Sequence, residues 1–179
     1  MINWESVHKL SPGEFSEDPD KYAEPELIYG LSHLRKLTRK AMYPSPVSGA
    51  LARFSGSSTS QHFVGPKNKP VRKSKASDIF CADVPMVTYS SILMAGMFTG
   101  IGIYLETNGP DGLPWIMFHV DIRTHISTLP LIWIVERVYD PIKKKRIDKY
   151  RYPQTSPDYW KLLNDKRFYS HKKFGIGTP

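Results

Sequence analysis

The sequence predicts an α+β domain with a mostly antiparallel sheet and helices packed on one side. An apolar stripe at helical spacing lies near the N-terminus, and a second helical stretch begins at Pro85. Short strand-like segments separated by turn residues recur between residues 47 and 138. The length of 179 residues, 40% of them hydrophobic, is sufficient for one packed core.

The first helix is predicted from an apolar residue at every third or fourth position, which places these side chains on one helix face. The stripe consists of Leu27, Leu31, Leu34, Leu37 and Ala41. Pro25 suits the first turn of this helix. The segment Tyr43-Pro44-Ser45-Pro46 ends it, because a residue before proline avoids the helical conformation.

The strands are predicted from short apolar segments bounded by Gly, Pro and Ser. They span Val47–Arg53, Ala76–Ala82, Thr99–Leu105, Trp115–Arg123 and Leu131–Val138. Pro66–Lys75 holds five basic residues and two prolines and is predicted to be an exposed loop. In the helix after Pro85, Met86, Leu93 and Met97 are expected to share a core face, and a short last helix is expected around Pro157–Asn164.

The charge is distributed unevenly and divides the chain into two parts. Residues 1–136, which include an acidic segment over 1–24, hold 13 basic and 13 acidic residues; residues 137–179 hold 12 and 4. We therefore expect a neutral domain over 1–136 and a basic, aromatic extension over 137–179. The extension could keep the protein soluble, or could contact nucleic acid, an anionic cell-wall polymer or an acidic partner surface.

Several classes of protein are excluded at this stage. The apolar runs are far shorter than the roughly 20 residues of a membrane-spanning helix. The N-terminus lacks the basic and apolar regions of a signal peptide, so no export signal is expected. With Cys81 as its single cysteine, the chain cannot form an internal disulfide framework or a cysteine-rich zinc site. A metal ion would have to be held by His and carboxylate side chains.

The strand Trp115–Arg123 carries the most informative pattern. Because side chains alternate along a strand, His119, Asp121 and Arg123 share one face, and Phe118, Val120 and Ile122 point to the other. The polar face could be a hydrogen-bonded ladder exposed to solvent, or it could be the platform of a site.

Two further segments favour a site. His62 follows a Gly/Ser-rich loop, and Asp78 lies near the start of a strand, where its carboxylate can reach a histidine on a neighbouring strand. Two imidazoles and a carboxylate form an ordinary catalytic zinc shell that leaves a fourth position for water.

In this order the motifs resemble the zinc D-alanyl-D-alanine carboxypeptidases and related phage endolysins, which share the Hedgehog/DD-peptidase fold. The resemblance spans about residues 7–136 and is carried by Ser60-Gln61-His62-Phe63-Val64-Gly65, Ala76-Ser77-Asp78, Gly100-Ile101-Gly102-Ile103-Tyr104 and His119-Val120-Asp121-Ile122-Arg123. Similar opening segments, Leu10–Phe15 and Ser48-Gly49 ahead of Arg53, precede them.

The resemblance implies a function for each site residue. His62, Asp78 and His119 would bind Zn²⁺, which lowers the pKa of a bound water to about 7. Arg53 would hold the carbonyl or carboxylate of the substrate and help to stabilise the oxyanion. Ser60 and Arg123 are the remaining candidates for substrate binding.

The chain departs from the family pattern at two places. Pro66–Lys75 separates His62 from Asp78 by 16 residues, a longer spacing than in the family. Ile116 stands where many members carry an acidic general base. Asp121 is the best substitute for that base, although it could equally orient His119.

Two functions of different classes follow. The first is a zinc-dependent cell-wall peptidase, of carboxypeptidase or endopeptidase type, encoded by a phage and located in the virion or in the host cytoplasm before release. The alternative is a weak or inactive peptidase-fold component of a virion that docks through its basic extension. A nucleic-acid-binding module is a third possibility and rests on charge alone.

Overall fold

Three α-helices and six β-strands make up the part of the chain that the structure, a computed structural model, describes: residues 1–109, 111–124, 129–152, 161 and 164. The helices are α1 (Pro19–Tyr22), α2 (Pro25–Leu37) and α3 (Pro85–Ala95). The strands are β1 (Met42–Pro44), β2 (Ala76–Cys81), β3 (Gly100–Asn108), β4 (Pro114–Asp121), β5 (Leu131–Asp140) and β6 (Lys145–Arg151). None of the described helices combines the length and the hydropathy that a bilayer crossing requires.

The six strands form one mixed sheet in the order β1-β2-β4-β3-β5-β6. Strands β3 and β5 run parallel, and the other neighbouring pairs run antiparallel. The predicted α+β class is confirmed.

The two faces of the sheet differ in chemistry. One face and the helices α2 and α3 contribute to the main apolar core. Its sheet residues include Ile79, Phe118, Val120, Ile101 and Ile103, and its helix residues include Leu27, Leu31 and Ile92. On the other face, the register places His119 of β4 opposite Asp78 of β2 and Gly102 of β3. Pairing within the sheet therefore brings polar residues from separate segments side by side.

The first helix and the strand predicted after it differ from the structure. The helix ends at Leu37, because Thr38 adopts an extended conformation, and Met42–Pro44 then pairs with β2 as an edge strand. The strand predicted over Val47–Arg53 is wrong, since this segment forms turns with a single bridge from Arg53 to Phe63. Three of its backbone N–H groups donate to the Glu17 carboxylate instead of to a neighbouring strand.

The core face of α3 also differs from the prediction. Leu93 and Met97 are exposed and Met86 is only partly buried, whereas Tyr89 and Ile92 are fully buried. The helix ends at Ala95 because Gly96 takes a left-handed conformation (φ 65°), so Met97 lies beyond the helix and cannot continue its stripe.

The basic extension begins inside the sheet. The expected boundary between residues 136 and 137 falls within β5, and β6 pairs with β5 from Ile134↔Arg151 to Asp140↔Lys145. The helix expected around Pro157–Asn164 lies, apart from residues 161 and 164, outside the described residues.

Candidate metal centre

His62, Asp78 and His119 converge on one point. His62 Nε2 lies 2.9 Å from His119 Nδ1 and 3.2 Å from Asp78 Oδ1. His119 Nδ1 lies 3.0 Å from the same Asp78 oxygen. All three residues are buried. This group could hold a metal ion.

The distances among the three atoms suit a small divalent ion. Ligand atoms about 2.0–2.1 Å from a tetrahedral ion lie about 3.3 Å from one another. The observed separations of 2.9 to 3.2 Å are slightly shorter, so a small outward movement of each side chain would make room for the ion.

The outer nitrogen of each imidazole contacts an acceptor. Nδ1 of His62 donates to the carbonyl oxygen of Leu51 (3.4 Å), and Nε2 of His119 donates to Oδ2 of Asp121 (3.0 Å). Protonation at these positions leaves a lone pair on His62 Nε2 and another on His119 Nδ1, both directed at the Asp78 carboxylate. Three electron-rich atoms then face one another in a buried space, an arrangement that a cation would stabilise.

The charge state of each group follows from its surroundings. Burial lowers the pKa of His62, and this effect outweighs the attraction of Asp78. Burial would raise the pKa of Asp78, but the neighbouring His62 and His119 hold it well below its usual range. His62 is therefore neutral and Asp78 ionised near neutral pH, which are the forms that bind metal.

His119 responds differently because it lies between two carboxylates. Burial disfavours its charged form, but hydrogen bonds to Asp121 and Asp78 outweigh burial and raise its pKa. A metal ion that binds Nδ1 would replace a proton there, so metal binding should release protons.

The basic loop Pro66–Lys75, an insertion relative to the family pattern, bridges the long stretch of sequence between His62 and Asp78. Its end returns to the His62 segment, where the N–H of Lys75 donates to the carbonyl oxygen of Gln61 (3.0 Å). The N–H of Val71 donates to the carbonyl oxygen of Val64 (2.8 Å). Between them, Gly65 has a φ of 92°, and a Cβ at this position would collide with Val71. The insertion therefore leaves the two metal-ligand candidates together.

Two glycines of β3 make room for the site. A Cβ at Gly100 would lie 2.4 Å from the Asp121 carboxylate, and a Cβ at Gly102 would lie 2.6 Å from the Trp133 indole. That indole packs against the His119 imidazole, with ring centroids 5.1 Å apart. The two glycines thus leave space for the Asp121 carboxylate, which orients His119, and for the Trp133 indole, which covers it.

Gly102→Ala is expected to displace Trp133 and to lower the affinity of the site for a metal ion. The added methyl group collides with an indole that already packs on His119 and Arg123, and overpacking of this kind costs about 1–3 kcal/mol. Thermal unfolding and zinc titration would measure both effects. Gly13→Ala is the matched control, because a Cβ there meets nothing within 4 Å. Equal zinc affinity in the two variants would contradict this account.

A residue that the sequence analysis missed supports the other side of the centre. The Glu17 carboxylate accepts hydrogen bonds from the N–H groups of Gly49 (2.7 Å), Ala52 (3.0 Å) and Leu51 (3.2 Å). The same turn supplies the carbonyl that holds His62 and leads directly into Arg53. An acidic residue in an irregular N-terminal segment gave no sequence signal for this function.

Glu17→Ala is expected to lower the free energy of unfolding by about 1.5–3 kcal/mol, since three amide groups lose a charged acceptor. The affinity of the site for a metal ion should fall as well, because the Leu51 carbonyl would no longer hold the His62 ring in place. Chemical denaturation and zinc titration would test both. Glu5→Ala, at an exposed position near the N-terminus, is the control and should change neither the free energy of unfolding nor the metal affinity. An equal loss in this control would contradict the conclusion that Glu17 supports the site.

The remaining candidates occupy distinct positions around the centre. Arg53 Nη2 lies 3.7 Å from Asp78 Oδ2, and Ser60 lines the cleft above the centre. Arg123 binds the Asp121 carboxylate and stacks on Trp133 at 5.1 Å. Asp121 is fully buried behind His119.

The cleft above the centre has a volume of about 370 Å³. Besides Arg53, Ser60 and the two histidines, it is lined by aromatic side chains that no sequence motif identified as a group: Tyr104, Trp133, Tyr150 and Tyr152. Burial and the neighbouring Tyr150 raise the pKa of Tyr104, so its phenol stays protonated. Strands β3, β5 and β6 supply Tyr104, Trp133 and Tyr150, and Tyr152 directly follows β6, so the pairing of these strands brings the wall together.

Comparison of the chain with protein-family models, curated proteins and solved structures finds no match.

Proposed function

We propose that this protein is a zinc-dependent peptidase that hydrolyses cell-wall peptides, as a D-Ala-D-Ala carboxypeptidase or an endopeptidase. The observation that carries the proposal is the convergence of His62, Asp78 and His119 beneath an open cleft. A bound zinc ion would supply Lewis acidity and an activated water for attack on a peptide carbonyl. The order of motifs in the sequence supports the same class.

The side chains around the cleft suit a peptide substrate. Arg53 is half-exposed beside Asp78, where its guanidinium can hold a carbonyl or terminal carboxylate of the substrate. The protonated phenol of Tyr104 can donate a hydrogen bond to an oxygen that gains negative charge. Tyr150 and Tyr152 can pack against the apolar part of a peptide.

Asp121 is best assigned as a positioning residue. Its carboxylate contacts His119 on the nitrogen that faces away from Asp78, and it is fully buried. A general base must reach the water that attacks the substrate, and Asp121 lies on the wrong side of the imidazole for that. It instead keeps His119 in the tautomer that binds metal.

A second candidate function, a weak or inactive peptidase fold in a virion, is favoured by a specific observation. Ile116 is buried in the apolar core, and no Asp or Glu is found among the described residues that line the cleft. In that case residues 137–179 would dock on an acidic partner such as another virion protein. Either function is consistent with a phage protein in the virion or in the host cytoplasm before release.

The experiment that tests the main proposal combines metal analysis with hydrolysis of cell-wall peptides. The purified full chain should contain about one zinc ion per molecule and should cleave a stem peptide in a chelator-sensitive reaction that zinc restores. Absence of stoichiometric zinc would refute the proposal. Stoichiometric zinc without any cleavage would favour the inactive virion component.

A further inference from the structure

A second cavity adjoins the metal cleft. It has a volume of about 430 Å³ and shares Gln61 and Arg123 with the cleft. The basic loop Pro66–Lys75 contributes Arg72, Lys73 and Lys75 to its wall. Both volumes lie within the range of about 300–1,000 Å³ that is typical of small-ligand pockets.

Three of the four cations that line this cavity, Arg72, Lys73 and Lys75, are not paired with a carboxylate of the described chain, whereas Arg123 is paired with Asp121. Arg72 donates only to main-chain carbonyl oxygens, including those of Phe63 (2.6 Å) and Ser58 (2.9 Å), and the Lys73 ammonium group donates to the main-chain oxygen of Asp20 (3.2 Å). Within the described parts of the chain, no carboxylate forms an ion pair with Arg72, Lys73 or Lys75. Glu24 is the single acidic residue on the described wall.

The cationic wall is held in a defined position relative to the metal centre. Lys75 is attached on both sides, since its N–H donates to Gln61 (3.0 Å) and its carbonyl oxygen accepts from Ile122 (2.9 Å). Arg72 is bonded to the carbonyls of the loop that leads to His62. Uncompensated charges on anchored segments are pre-organised to bind an anion.

We propose that the two cavities form one groove for an acidic peptide, in which a carboxylate of the substrate occupies the cationic cavity while the bond to be cleaved lies at the metal centre. This inference rests on the proposed peptidase function and specifies its substrate. The shared residues favour a ligand that passes from one cavity into the other. The small volumes favour a peptide over a nucleic-acid duplex.

The test uses the full-length, zinc-loaded protein and two peptides, L-Ala-γ-D-Glu-L-Lys-D-Ala-D-Ala, which has a free α-carboxylate on its glutamate, and the counterpart in which that carboxylate is amidated (D-isoglutamine). Calorimetry at low and high salt measures binding, and product release measures hydrolysis. The acidic peptide should bind about tenfold more tightly at low salt, and high salt should reduce this preference because it screens exposed charges. The double variant Lys73→Gln/Lys75→Gln should lose most of the preference.

Lys69→Gln is the matched control, because Lys69 belongs to the same insertion but lines neither cavity. Thermal unfolding of each variant checks that the fold is intact. Equal binding of the two peptides would refute the proposed acidic-peptide groove. An unchanged preference for the acidic peptide in the double variant would refute it as well. A third outcome would replace the peptide groove by a nucleic-acid surface. In that case the protein binds duplex DNA more tightly than either peptide, the double variant Lys73→Gln/Lys75→Gln weakens DNA binding, and the two peptides bind equally.

The same measurements separate the two proposals. Cleavage of both peptides with equal efficiency would refute the acidic groove and leave the peptidase intact. Absence of cleavage with zinc bound would refute the peptidase, whereas the binding preference would still decide whether the groove selects a carboxylate.

Discussion

On the proposed peptidase function, replacing His119 by alanine is expected to abolish stoichiometric zinc binding and to lower peptide hydrolysis by about 10³-fold or more, because Lewis-acid catalysis contributes several kcal/mol to stabilisation of the transition state. The imidazole supplies one of three convergent atoms, at 2.9 and 3.0 Å from the other two. Its loss leaves Asp78 and His62 without a third partner. Metal analysis and peptide turnover would measure the two effects.

His119→Gln and His33→Ala complete this experiment. Glutamine keeps a polar group near Asp121 and reduces the danger that the variant fails to fold, yet it should still lose zinc. His33 lies on the exposed side of α2, so its replacement should change neither metal content nor activity. If His119→Ala retained one zinc ion per molecule, the assignment of the metal centre would be wrong.

Asp121→Asn is expected to lower zinc affinity about 10- to 100-fold, as losses of groups that orient metal-binding histidines do. The Asp121 carboxylate accepts hydrogen bonds from His119 Nε2 (3.0 Å), from Arg123 Nε (2.8 Å) and from the N–H of Arg123 (3.1 Å). An amide cannot neutralise the guanidinium, and it can present its own N–H to the imidazole. Loss of these charged hydrogen bonds should reduce the free energy of unfolding by about 2–3 kcal/mol.

The same variant distinguishes orientation from general-base catalysis. If Asp121 orients His119, zinc affinity falls and activity recovers in part at saturating zinc. If Asp121 were the base, turnover would fall at every zinc concentration while affinity stayed unchanged. Asp148→Asn removes an equivalent contact with Arg137 on an exposed part of the sheet, where ion pairs contribute little, and should have almost no effect.

Patterns with a local physical cause were predicted well. Alternation along β4 put His119 and Asp121 on the same face, and the structure joins them by a hydrogen bond. The buried strand Ala76–Cys81 and the helix from Pro85 were found close to their predicted positions. These patterns depend on residues a few positions apart, and at these positions no distant contact overrides them.

The segment over residues 47–53 was predicted wrongly because its partner is remote in sequence. An apolar composition favours a strand there, but three of its amide groups donate to Glu17, more than 30 residues earlier. The aromatic wall of the cleft was missed for the same reason. Tyr104 and Tyr150 become neighbours only through the pairing of β3, β5 and β6.

By itself, the sequence determined which residue types could bind a metal and which of them share a strand face, since backbone geometry alone sets the period of two. Only the tertiary structure decided that His62, 57 residues from His119, and Asp78, 41 residues from it, meet at one point. Strand pairing and the return of the basic loop to Gln61 produce that meeting. These long-range contacts depend on the packing of the whole sheet, which no local pattern encodes.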